Sequence, residues 1–244
     1  MIEVDDVTFR YPQRPNDVLK GLRTTIPDGS FVAIMGSNGS GKSTFARSLN
    51  GLLLPTSGEV KVDGVSTKDV SVRQKVGLVF QDPNLQMTSA TVERELAFGL
   101  ENSCISRDEM VTRVKNSLRE FGFEERRNDP PSSLSAGERQ RLAVASVLIL
   151  NPSYVVLDEA TSLLSARSRT GLLEMVMSLQ NHRRVGIVLI TQYPAEALLA
   201  QRLLILHDGA MLFDDDPRNV FEHGDELMRI GVSIPVSERM KLPV

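Results

Sequence analysis

The sequence predicts an α/β fold: a mostly parallel sheet covered on both faces, with an N-terminal antiparallel β-subdomain and an inserted α-helical subdomain. Three observations predict it. First, the opening segment alternates. Val7, Phe9 and Tyr11 share one face, Leu22, Thr24 and Ile26 another, and Val60 and Val62 follow Gly58. Period two broken by Gly and Pro reads as antiparallel strands. Second, five short apolar runs recur further on: FVAIM (31–35), VGLVF (76–80), YVVLD (154–158), VGIVLI (185–190) and RLLIL (202–206). Runs without alternation suit strands buried on both faces. Third, the stretch between VGLVF and YVVLD lacks strand character. Residues 91–101, 107–121 and 138–150 read as helices, and Pro130 and Pro131 break the pattern before SLSAGE. The expected organisation is one domain over 1–244. Its core is 1–83 and 151–220, its helical subdomain 84–150 and its C-terminal tail 221–244.

Bulk properties narrow the function classes. The chain has 244 residues, a formal net charge of −3, 24% charged and 41% hydrophobic residues. That balance offers no electrostatic footprint for nucleic acid. A single cysteine, Cys104, forms no internal disulfide and suits a reducing compartment. No run approaches the ~20 apolar residues that span a bilayer, and the acidic, alternating N-terminus is no secretory signal. A membrane role is therefore expected to come through a partner.

The segment GSNGSGKST (36–44) follows the FVAIM strand and fits the phosphate-loop spacing G-x-x-x-x-G-K-[ST]. Gly36 opens the motif, and Gly39 and Gly41 let the backbone curl so that amide N–H groups face phosphate oxygens, with Ser37, Asn38 and Ser40 among the candidate binding residues. Lys42 is expected to reach the β- and γ-phosphates and Ser43 to ligate Mg²⁺, with Thr44 beside it. A helix over about 42–50 would offer its positive end, and Gly51 would stop it. YVVLDE (154–159) supplies the complement. Asp158 ends a strand where ligands bind in open α/β sheets, so it is the candidate partner of Mg²⁺. Glu159 is the candidate general base for an attacking water. No Asn-Lys pair occurs, so the guanine-reading N-K-x-D of GTPases is missing.

SLSAGERQR (133–141) begins as a helix start, with Ser135 as cap and Glu138 placed for a capping box. Set between the phosphate loop and YVVLDEATS, it resembles the signature of the ATP-binding cassette ATPases, Leu-Ser-Gly-Gly-Gln. Ser135 and Gly137 match, while Ala136 and Glu138 depart. The resemblance implies a P-loop NTPase core in which ATP and Mg²⁺ are sandwiched between the phosphate loop of one chain and the signature of another. It also implies that Tyr11 stacks on adenine and that Gln81 senses Mg²⁺ and water. Two departures stand out. The family's Thr-His reads Thr191-Gln192 here, and Ser-Ala-Leu-Asp reads Ser162-Leu163-Leu164-Ser165. A glutamine amide donates a hydrogen bond but carries no charge.

FQDPNLQMTSATVERELAFGLEN (80–102) resembles the energy-coupling-factor branch of that family. Asp82, Pro83, Gln86, Ala90, Thr91, Val92, Ala97, Phe98 and Gly99 fit, and Asn84 departs. The tail, with Ile230-Gly231 and Pro235, resembles that branch too, with any C-terminal extension shortened. The resemblance implies an ATPase at the cytoplasmic face of the cell membrane. Its partners would be a second ATPase subunit, a membrane-embedded coupling protein and a substrate-binding membrane subunit, serving vitamin or Co²⁺/Ni²⁺ uptake. Leu85, Met87 and Phe98 are candidates for docking the coupling protein, with Phe98 the better candidate for subdomain core. The departures leave alternatives open: one of two unlike subunits, a homodimer that tolerates Gln192 and Ser165, or a nucleotide-gated clamp that turns over slowly; an ATPase of another ABC importer is a further alternative. A soluble repair or ribosome-linked ATPase is less suited, since neither a heptad insertion nor a tandem repeat is present.

Overall fold

The structure, a computed structural model, describes residues 1–103 and 105–236, with Leu179 and Asn181 by backbone alone. Cys104 and the end of the 221–244 tail lie outside the described residues. The chain begins with β1 (Ile2–Phe9), β2 (Leu19–Ile26) and β3 (Phe31–Gly36), then α1 (Lys42–Leu49), β4 (Ser57–Val62) and β5 (Val65–Ser66). The short α2 (Val72–Lys75) leads into β6 (Val76–Val79). Three helices follow, α3 (Val92–Glu101), α4 (Arg107–Glu120) and α5 (Ala136–Leu148). The chain returns through β7 (Tyr154–Asp158), α6 (Ala166–Arg183), β8 (Gly186–Ile190) and α7 (Pro194–Ala197). It closes with β9 (Arg202–His207), β10 (Ala210–Asp215), α8 (Pro217–Glu222) and α9 (Gly224–Arg229).

Two sheets result. The smaller is antiparallel throughout, in the order β2-β1-β4-β5. Its pairing explains an apparent fault in the alternation: Ile2 and Val4 are buried, then Val7 and Phe9. The register shifts between Val4 and Val7, where Asp6 takes a left-handed φ of 52°, so a bulge returns the apolar side chains to one face. Tyr11 falls two residues beyond the end of β1, outside the shared face expected for it.

The larger sheet has the order β10-β9-β3-β8-β7-β6 and is parallel except for the β9–β10 edge. β7 and β8 are buried at all five of their positions, as strands covered on both sides must be. The centre of the sheet, β3-β8-β7, brings three strand ends side by side: Gly36, Ile190 and Asp158. Residues 84–150 hold no strand among those described, and their helices join the larger core through Leu96, Leu142 and Leu148. The long helix α6 is absent from the sequence expectations. Ser165 caps it, accepting from the Ser168 N–H, and Leu172, Leu173 and Val176 are its buried stripe.

Candidate functional site

The phosphate loop turns from β3 into α1. Gly39 and Gly41 have φ of 82° and 102°, a region that a Cβ disfavours. At Gly36 a Cβ would lie 2.2 Å from the Leu206 carbonyl oxygen, so no larger residue fits against β9. α1 starts on Gly41 with no side-chain cap, which leaves its first N–H groups free for an anion. Lys42 is only 5% exposed, and its Nζ donates to the carbonyls of Gly36 at 2.9 Å and Ser37 at 3.0 Å. Burial draws its pKa below the ordinary lysine range, opposed by the charges of Glu159 and Asp158. Ser40 is buried with its Oγ unpartnered.

Ser43 Oγ donates to Asp158 Oδ1 at 2.9 Å. Burial raises the Asp158 pKa, and the Ser43 hydrogen bond opposes that. These two oxygens are the fit test for Mg²⁺. No cluster of three His, Cys, Asp or Glu that could hold a metal occurs among the described residues. Mg²⁺ needs no such cage: a hydroxyl, a carboxylate, waters and substrate phosphates suffice, so the donor set fits. Thr44 Oγ1 lies 3.2 Å from the Tyr11 hydroxyl. The Tyr11 ring packs edge-on to Phe9, with the Arg14 guanidinium 6.0 Å from its centre. Tyr11, Arg14, Lys42, Ser43 and Glu159 line one cleft of about 330 Å³.

Glu159 takes a left-handed φ of 51°, and its N–H donates to the Ile190 carbonyl at 3.1 Å. The adjacent ends of β7 and β8 thereby bring the candidate base to Gln192. Gln192 Nε2 donates to Glu159 Oε1 and to Asn38 Oδ1, both at 3.1 Å. An amide nitrogen carries two protons, so one side chain ties the base to the phosphate loop. Gln81 is brought in differently from the expectation. Its Nε2 donates at 3.1 Å to Ser162 Oγ, which donates to the Glu159 carbonyl at 2.8 Å. It reaches the loop behind Glu159 rather than Ser43 or Asp158.

Comparison with known proteins places this geometry. The family model for ABC transporters matches residues 19–162. An energy-coupling factor transporter ATP-binding protein, EcfA1 of Ligilactobacillus salivarius, is 41% identical over 244 residues, covering 99% of this chain and 86% of that protein. The chain belongs to the ABC transporter ATPase family. Its similarity is to the energy-coupling-factor branch, as FQDPNLQ and SATVERELAFG suggested. Among solved structures, cbiO1 from Clostridium perfringens, described as part of the ABC transporter complex cbiONQ, superposes with a TM-score of 0.83. It shares 28% identity over 98% of each chain. A dimeric ATP-binding cassette, MJ0796 bound to ADP and Pi, gives 0.80 at 28% identity, covering 89% of this chain and 99% of that one.

The family's signature segment is built as its sequence suggested. Ser135 Oγ accepts from the Glu138 N–H at 3.3 Å, and Glu138 Oε2 accepts from the Ser135 N–H at 2.8 Å. These bonds and Arg126, whose Nη1 donates to Glu138 Oε1 at 3.0 Å, hold the Glu138 carboxyl below the usual range. Gly137 is pressed against α6, where a Cβ would lie 2.8 Å from Ser168 Oγ. Ser135, Gly137 and Glu138 line a cavity of about 520 Å³ that shares no residue with the phosphate-loop cleft. Sequence reasoning missed Arg126 and Arg14. No spacing rule flags a single arginine twelve residues before the acid it holds, though Arg14 was within reach of the Tyr11 argument.

Proposed function

We propose that the chain hydrolyses ATP to power an energy-coupling-factor importer for a vitamin or a transition-metal ion. It would work at the cytoplasmic face of the membrane, paired with a second, unlike ATPase chain. A membrane-embedded coupling protein and a substrate-binding membrane subunit would complete the assembly. No helix among the described residues is long and apolar enough to cross a membrane, so attachment would run through those partners. The observation that carries the two-chain reading is the separation of the half-sites. The phosphate loop and the signature line different cavities of one chain, which suits closure of a signature from another chain on the nucleotide.

In this reading Lys42 and the loop amides hold the β- and γ-phosphates, and Tyr11 and Arg14 flank the base. Bound Mg²⁺, held by Ser43 and Asp158, would neutralise phosphate charge. Glu159 polarises the attacking water, and Gln192 fixes Glu159 while its amide faces the phosphate loop. Gln81 carries the state of the Glu159 loop toward the helical subdomain through Ser162. Ser135 of this chain would approach the γ-phosphate of the nucleotide held by the partner chain. Its oxygen already accepts from the Glu138 N–H, which leaves its own proton free to donate.

A slow clamp is the second reading, favoured by Gln192 in place of histidine and by Ser165, which caps α6 where an aspartate would otherwise stand. Steady-state MgATP hydrolysis by the purified chain separates the two, with Glu159→Gln as blank and Gln192→His alongside. Turnover well above the blank supports an active site. Turnover at the blank that Gln192→His revives assigns the clamp.

A further inference from the structure

One buried acid takes no part in the chemistry above. Glu196 lies in α7 and is 2% exposed. Such a group is tolerated only where its oxygens find partners. Its Oε2 accepts from Thr161 Oγ1 at 2.9 Å and from Thr191 Oγ1 at 2.5 Å. Thr161 lies two residues past Glu159, and Thr191 directly precedes Gln192. Thr191 Oγ1 in turn accepts from the Tyr193 N–H at 3.0 Å. The other carboxyl oxygen makes no hydrogen bond, with Arg169 Nε 3.5 Å away. Arg169 belongs to α6. Its guanidinium lies 3.6 Å from the centre of the Tyr193 ring, and its Nη2 donates to the Leu164 carbonyl at 3.4 Å. The acid and this arginine thus hold both loops of the site from the buried side.

We infer that Glu196 is a positioning residue for hydrolysis: it ties the loop carrying Glu159 to the loop carrying Gln192 and keeps their side chains in contact. The inference rests on the ATPase reading above and adds to it the brace that sets the geometry. A carboxylate suits the task because one oxygen can accept two hydroxyls at once. Displacing a catalytic group by about 1 Å can cost ~10²-fold in rate, so a brace this close to the base has kinetic weight.

The test uses the full chain and its variants Glu196→Ala and Glu196→Gln, with Thr191→Val as a second route to the same loss. MgATP turnover is resolved into kcat and KM, and amide hydrogen exchange is followed at Glu159 and Tyr193. Glu196→Ala is expected to lower kcat at least about tenfold with KM changed less than about threefold. It should speed exchange at both amides while leaving β3 and β7 unchanged. Glu196→Gln, whose amide oxygen still accepts both hydroxyls, should recover a substantial part of kcat. Adding Thr191→Val to Glu196→Ala should cost little more. Unchanged exchange in both loops overturns the inference, as does a Gln variant no better than Ala. If Glu196→Ala does not fold, Thr191→Val and Glu196→Gln carry the same comparison. A parent chain no faster than Glu159→Gln at concentrations where it is dimeric refutes the hydrolysis reading, and the exchange data still decide whether Glu196 ties the loops.

Discussion

Two helix N-termini carry the proposed ATP site, and the chain builds them in opposite ways. α1 opens on a left-handed glycine with no side-chain cap, so its amides stay unspent and only a ligand completes them. α5 opens on a full capping box, with Arg126 pinning the capping acid. The first end is a receptor held ready, at the expense of local stability. The second is a finished piece of protein that presents a hydroxyl and a dipole to something outside the chain. The difference fits the roles proposed for them, α1 as the end that captures the nucleotide and α5 as the end that closes on a nucleotide captured elsewhere.

That division can be broken most forcefully at the receptor. Lys42→Ala should reduce MgATP turnover by ~10²–10³ and weaken ATP binding to the isolated chain, because it removes a positioned charge from a buried site. Gly36→Ala should abolish ATP binding, since its Cβ would strike the Leu206 carbonyl at 2.2 Å; equilibrium binding of a labelled ATP checks both. At the other end the expected effect is smaller and of another kind. Ser135→Ala should lower stability by ~1 kcal/mol, read as a fall in Tm of ~2–4 °C. It should leave ATP affinity unchanged while turnover falls. A loss of affinity in the monomer would merge the two ends into one site.

The smallest effect sharpens the comparison through pH. The Glu138 carboxyl is held below its ordinary range by Ser135 and Arg126. A depressed acid contributes stability above its unfolded pKa of ~4.3, and that contribution is lost as pH falls through the lower folded value. Glu138→Ala should therefore be less stable than the parent at pH 7, with the gap narrowing as pH is taken below ~4. Urea midpoints at both pH values check it, and a constant gap would mean that the carboxylate charge is irrelevant to the cap.

Much of this was legible in the sequence because it is local. The buried strands announce themselves as unbroken apolar runs, and the glycines and lysine of the phosphate loop are spaced by the turn they make. The cap at Ser135 and Glu138 is a four-residue pattern. What escaped is non-local. The Gln192 contact with Glu159 depends on β8 lying beside β7, an order that no residue states. Glu196 reads as an ordinary acid in a short helix until Thr161 and Thr191 fold onto it. α6 escaped for a plainer reason: charged residues interrupt the stripe of Leu172, Leu173 and Val176 near its start, and its cap, Ser165, was read only as a missing aspartate.

If catalysis requires two chains while capture requires one, MgATP turnover per chain depends on chain concentration, and a dilution series measures that dependence. Sedimentation would report the oligomeric state in parallel. ATP binding is expected to be independent of chain concentration, and specific turnover to rise as monomers pair. Constant specific turnover across a range where the chain remains monomeric would contradict a two-chain requirement.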